Sequence, residues 1–222
     1  MPHVLTVNVA SLQPSPASTR RPTGITKRPV LGSVEVRAPG SKTAGLGSGL
    51  VGDQIGDHRH HGGNSQAVYA YAREELDEWQ DMLGRPLASG TFGENLTTSG
   101  LVVSDAVLGE RWRVGEQVEL KVTGPRIPCH TFRAHIAERG WLRTFTLAAK
   151  SGAYLSVMTP GTVRAGDDIT VLHRPTHGVL VSHAFRALTR EPELLAGLLV
   201  AGDDLEDELR QMAENGQTFS LG

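Results

Sequence analysis

Short runs in which apolar and polar residues alternate recur along most of the chain, and they predict strands at residues 4–10, 34–38, 68–71, 111–114, 117–123, 154–158 and 169–173. Gly109-Glu110, Gly115-Glu116 and Gly166-Asp167 separate several of them. Glycine supplies positive φ there and the acid can bond the turn backbone, so tight hairpins and antiparallel pairing are expected. Residues 13–24, rich in Pro, Ser and Arg and without periodicity, are expected to form a surface loop.

The spacing turns helical at residues 72–83. Leu76, Trp79 and Leu83 share a face, acids crowd the early turns, and Gly84 ends the segment. Beyond Pro175 it is helical throughout: Ser182 is expected to cap a helix to Leu188, Pro192 to open a second through Leu199, and Asp203 or Asp204 to start a third with Leu205, Leu209 and Met212. The prediction is a mainly β protein with one amphipathic helix on the sheet, divided into a β domain over 1–175 and a small three-helix unit over 176–222.

Composition narrows the class. With 222 residues, 21% charged residues and a net charge of -2, the chain can bury a full core and has no basic field that would recommend nucleic acid. The first residues read as a strand and not as a secretion signal, and no apolar run nears the roughly 20 residues needed to span a bilayer. A single cysteine cannot close an internal disulfide. A cytoplasmic, reducing setting without membrane or nucleic-acid partners is therefore expected; the oligomeric state is left open, a dimer included.

Four stretches carry candidate chemistry. The glycines from Gly47 to Gly52 match a dinucleotide pattern only formally, because no helix can follow them. His58, His60 and His61 stand too close together to form an obvious zinc site alone, so the alternatives are a solvated loop or, with Gly62, Gly63 and Asn64, a close approach of backbone amides to an anion. Thr91-Phe92-Gly93-Glu94-Asn95-Leu96-Thr97 could wall a ligand or satisfy buried backbone groups. In Gly124-Pro125-Arg126-Ile127-Pro128-Cys129-His130-Thr131, two prolines stiffen a strand exit and place the lone thiol where a helix starts. Arg126 and a helix N-terminus would favour the thiolate, whereas a free cysteine can also be a small buried hydrophobe.

Taken in order, Gly52-Asp53 through His61-Gly62-Gly63, Ala67-Val68-Tyr69-Ala70-Tyr71, Phe92-Gly93-Glu94-Asn95-Leu96, Pro125-Arg126-Ile127-Pro128-Cys129 and Pro160-Gly161-Thr162-Val163 with Gly166-Asp167 resemble the MOSC family, named for the C-terminal domain of molybdenum cofactor sulfurases. The likeness covers about residues 24–174, and the tail is similar to the three-helix extension of the small bacterial YiiM-type branch. The resemblance implies a β-barrel and a pocket for molybdenum cofactor (molybdopterin), with Cys129 binding the metal or carrying sulfur and Arg126 assisting the thiolate. It implies that Lys27 or Arg28 meets the pterin phosphate and that His61, Gly62, Asn64, Phe92, Gly93, Glu94, Asn95 and Thr97 line the pocket. Pyridoxal phosphate is not expected.

The branch resemblance implies a small oxidoreductase that reduces N-hydroxylated compounds, such as hydroxylaminopurine bases, to amines. No flavin, nicotinamide or iron–sulfur motif is present, so an external reductase would supply the electrons. Two alternatives stand beside it: a sulfur carrier with a persulfide on Cys129, and a module that holds the cofactor without turnover.

Overall fold

The structure, a computed structural model, describes residues 1–220. Its strands are β1 (His3–Val9), β2 (Gln13–Ser15), β3 (Ser18–Thr23), β4 (Arg28–Pro29), β5 (Val34–Val36), β6 (Val68–Ala72), β7 (Leu96–Ser99), β8 (Arg111–Val114), β9 (Val118–Pro125), β10 (Ala153–Thr159), β11 (Gly161–Val163) and β12 (Ile169–His173). Its α-helices are α1 (Arg73–Leu83), α2 (His130–Ile136), α3 (Trp141–Ala148), α4 (Val181–Thr189), α5 (Leu195–Leu198) and α6 (Asp207–Glu214).

One eight-stranded mixed sheet dominates, in the order β12-β8-β9-β10-β6-β7-β1-β4. Among the described residues only β6 and β7 run parallel. The outer edge of β1 is covered twice: β4 pairs with Asn8 and Val9, and the start of β12 reaches the other end through the bridge His3 to Asp168. Val4 N donates to Asp167 O and Gly166 N to Val4 O, each at 2.8 Å. Covering an edge in this way removes a template for unwanted strand pairing.

Strand β6 divides the interior. Every residue of Val-Tyr-Ala-Tyr-Ala is buried, and successive side chains point to opposite faces. Val68, Ala70 and Ala72 join an aliphatic core with Val4, Leu96, Leu120 and Trp112, whereas Tyr69 and Tyr71 enter an aromatic core with Trp79, Phe92, Phe132, Trp141 and Phe145. Burial on both faces suits the central parallel pairing. The tail shares the aliphatic core through Val181, Ala184, Leu188, Leu195, Leu198 and Leu205, and Phe185 of α4 reaches the aromatic one.

Several expectations shift. Within the expected loop 13–24, β2 and β3 form a ribbon in which Gln13 pairs with Thr23 and Ser15 with Ser18, a backbone pairing that needs no apolar periodicity. Helix α1 begins at Arg73 because Ala72 still belongs to β6, and Gly84 ends it in the left-handed region at φ 63°. Helix α3 and strand β7 fall where no periodicity announced them. Ser182 lies inside α4 and bonds Asp105 at 3.2 Å instead of capping the helix, whose N-cap is Leu180. The second tail helix breaks into 3-10 turns on either side of α5, with Gly202 at φ 53°.

Candidate functional site

The site grows from the exit of β9. Pro125 is the last residue of the ladder and pairs with Ala153 of β10. Lacking an N–H, proline suits that position, and Pro128 keeps the chain from turning helical before Cys129. Cys129 is extended, at φ -127° and ψ 172°, and is the N-cap of α2, which starts at His130 as the sequence suggested. Its thiol is half-buried and packs against the aromatic core.

Arg126, three residues earlier, is only 5% exposed. Its guanidinium carbon lies 3.8 Å from the centroid of Phe132 and 5.7 Å from that of Tyr69. Such stacking offsets part of the cost of burying a cation. No carboxylate pairs with it among the described residues, and its Nη1 has no hydrogen-bond partner.

Four titratable groups around it feel the charge. Burial pushes the half-buried Tyr154 hydroxyl up to about 12, against the opposing pull of the Arg126 guanidinium beside it. Burial likewise raises Tyr69, again with Arg126 opposing. His61 is driven down to about 4, first by burial and then by repulsion from Arg126. His135 is lowered by burial, with Arg126 and Arg85 adding to the effect.

Lys27 does not offer a free ammonium. It is buried, and its Nζ meets both oxygens of Asp53 at 2.5 Å. Asp53 further accepts from Ser48 Oγ at 2.7 Å, Asn95 Nδ2 at 2.9 Å and the amide of Ala10 at 2.9 Å. The Lys27 charge is thus paired inside the protein. Arg28 remains exposed, and it lines a cleft of about 630 Å3 together with Arg85, His135, Leu87 and Ile136.

The residues expected as a ligand wall turn inward too. Phe92 is fully buried at the centre of the aromatic core, 5.0 Å from Tyr71 and 5.1 Å from Phe132. Gly93 packs beside Ile25, and its φ of 81° lies in the left-handed region that favours glycine. Glu94 is fully buried, and burial raises its carboxyl despite the amides of Gly90 (2.5 Å) and Phe92 (3.0 Å) that it accepts. Thr97 donates to Glu94 and accepts from Asn8, while Asn95 accepts from the Tyr69 amide at 3.1 Å. This loop satisfies buried backbone groups, the other reading that its composition allowed.

The glycine loop after the histidines is held by backbone bonds of its own. The Gly63 amide donates to Gly47 O and the Asn64 amide to Gly40 O, each at 3.0 Å, so neither cradles an anion. Gly62 has to lack a side chain, since a Cβ would sit 2.8 Å from Gly47 O. Exposed Asn64 accepts from the Gly40 amide. His58 lies against Gly47 and His60 bonds Asp57 at 3.0 Å, and no group of three or more potential metal-ligating side chains converges among the described residues.

Of the expected site, then, the structure brings together Cys129, Arg126 and, through the shared field, His61. Sequence reasoning missed Tyr154, Tyr69 and Asp53. The period of two in β6 and β10 could have placed both tyrosines on the aromatic face, while nothing local marks Asp53 as the partner of Lys27.

The model of the MOSC domain matches residues 57–170, about half of the chain. The chain belongs to the MOSC domain family. This MOSC protein is 31% identical over 164 residues to the uncharacterized protein YflK of Bacillus subtilis, covering 74% of the chain and 70% of YflK. It is 31% identical to protein YiiM of Escherichia coli over 57% of each chain. A protein of Gibberella moniliformis named reductase is 28% identical over 58% of the chain, which is 23% of that protein's length. The crystal structure of YiiM from Geobacillus stearothermophilus superimposes with a TM-score of 0.77 at 23% identity, covering 97% of this chain and 99% of that one, a likeness of fold. No helix among the described residues is long and apolar enough to cross a membrane.

Proposed function

We propose that this MOSC protein binds molybdenum cofactor with its metal end at Cys129 and works as an oxidoreductase on N-hydroxylated compounds such as hydroxylaminopurine bases. The observation that carries the reading is the buried, carboxylate-free guanidinium of Arg126 three residues from a half-buried thiol. A buried cation without a counter-ion costs several kcal/mol, and an anionic group bearing a soft metal answers both features at once.

The residues fit that group. Cys129 would supply a thiolate ligand, Arg126 a charged donor to an oxygen of the group, and Arg28, at the basic cleft with Arg85, a contact for its phosphate. When bound, the cofactor supplies a metal centre that exchanges electrons and accepts oxygen. The chain's part is to hold and orient it: Arg126 is fixed between Phe132 and Tyr69, and His61, held neutral by burial, adds no further positive charge. In the overall reaction R–NHOH takes up two electrons and two protons and leaves as R–NH2 and water. The electrons come from a partner reductase; the relative named reductase carries its matched segment within a much longer chain, which suits that division. The bridge from His3 of β1 to Asp168, just before β12, supports reading the sheet as a closed barrel, with 1–175 as its domain and 176–222 as the extension.

Metal and pterin analysis tests the proposal on protein produced in cells that synthesise the cofactor. Wild type should hold both, and Cys129→Ala should lose molybdenum while keeping its fold. Wild type free of both metal and pterin refutes the proposal, and a loaded protein that never converts a hydroxylaminopurine when given electrons refutes the oxidoreductase part.

A further inference from the structure

We propose that Arg126 and Tyr154 form a preformed notch for a tetrahedral oxyanion beside Cys129, which the cofactor-free protein already carries. Two observations converge on it. Arg126 is only 5% exposed yet leaves Nη1 without a partner, although most buried polar groups are bonded. The contact of its guanidinium carbon with the Phe132 ring, 3.8 Å from the centroid, restrains the donor fork before any ligand arrives.

Tyr154 is the second donor. Its ring packs 5.3 Å from that of Tyr69, and its hydroxyl faces the Arg126 guanidinium and lies within the field of Cys129. The neighbouring tyrosines are already committed: Tyr69 donates to Ser151 O at 2.8 Å and Tyr71 to Lys150 O at 2.7 Å. The Tyr154 hydroxyl, which accepts from Arg126, keeps its own O–H to join Nη1 in binding an oxygen-rich dianion. A guanidinium and a phenol, rigid before the ligand arrives, bind without the ordering cost that flexible side chains incur.

The notch belongs to the site of the proposed function but does not require cofactor loading, so the two can fail separately. The ligand chemistry is shared by a metal oxyanion and by the phosphate of an organic ester, and the experiment separates them. Purified, cofactor-free full-length chain is titrated calorimetrically with sodium molybdate and, in parallel, with inorganic phosphate. Alkylation of Cys129 by iodoacetamide is timed with and without each anion.

Saturable binding of one anion per chain that slows alkylation of Cys129 is expected. Both Arg126→Gln and Tyr154→Phe should weaken it roughly tenfold or more, the range expected when a charge-assisted bond is lost. Tighter binding of molybdate assigns the notch to the metal end, and tighter binding of phosphate assigns it to an ester. Wild type with no saturable binding overturns the inference, as does binding that Tyr154→Phe, the variant least disturbing to the fold, leaves unchanged. Anion binding by a chain that never loads cofactor would keep this inference and sink the proposed function.

Discussion

Replacing Lys27 by methionine separates two roles for a residue that the family resemblance links to phosphate and the structure links to Asp53. The side chains of Lys27 and Asp53 are 7% and 1% exposed, and the ammonium contacts both carboxylate oxygens. Removing one partner of a buried pair typically costs about 3–5 kcal/mol, because the other charge stays buried. Asp53 would keep the donors Ser48, Asn95 and the Ala10 amide, which places the loss near the lower end, about 3 kcal/mol. With a urea slope of about 2 kcal/mol/M, the unfolding midpoint should fall by about 1.5 M. Asp53→Asn should cost a similar amount. The double variant should lose less than the sum of the two, by roughly 1–3 kcal/mol of coupling, since neither charge is then left alone. Urea titrations of the four proteins followed by tryptophan fluorescence measure this cycle. If Lys27→Met unfolds within about 0.3 M of wild type, a shift no larger than that of an ordinary surface change, the ion-pair argument is wrong and Lys27 is free to meet a ligand.

Two more outcomes follow from buried groups. His61, held near about 4 in the fold and near 6.5 in the unfolded chain, stays neutral while the unfolded chain takes up a proton, so stability should decline by up to about 3 kcal/mol as pH falls from about 6.5 to about 4. Urea midpoints across that range should show the decline in wild type and a shallower one in His61→Gln; equal slopes refute the assignment. Phe92→Ala, which empties the centre of the aromatic core, should destabilise the protein by about 3–5 kcal/mol. A thermal midpoint within a degree or two of wild type would return Phe92 to the surface of a pocket.

Much of the architecture could be read in local pattern. The alternations at 111–114 and 169–173 became β8 and β12 with the same bounds, because a strand with one buried face writes that face into every second residue. Arg73–Leu83 was legible from the three-and-four spacing of Leu76, Trp79 and Leu83. The motif order around Cys129 was enough to reveal the family. Helix α3 was not legible as a separate element, since Trp141 and Phe145 fit a helix or a buried strand equally well until a core selects one.

What tertiary structure alone decided is the fate of the polar residues. Lys27 and Asp53 stand 26 positions apart, and their pairing depends on how β1, the glycine loop and the strand-leading segment at Ile25 converge. Phe92, Glu94, Asn95 and Thr97 have the composition of a ligand wall, yet packing against Tyr71 and Phe132 and bonds to Gly90 and Asn8 turned them into interior. Arg126 shows the reverse: its type was readable, but its lack of a counter-ion was not. Hydrophobic periodicity is a property of neighbours along the chain, whereas the partner of a charge is set by whatever long-range pairing brings within about 4 Å of it, and only the folded chain defines that distance.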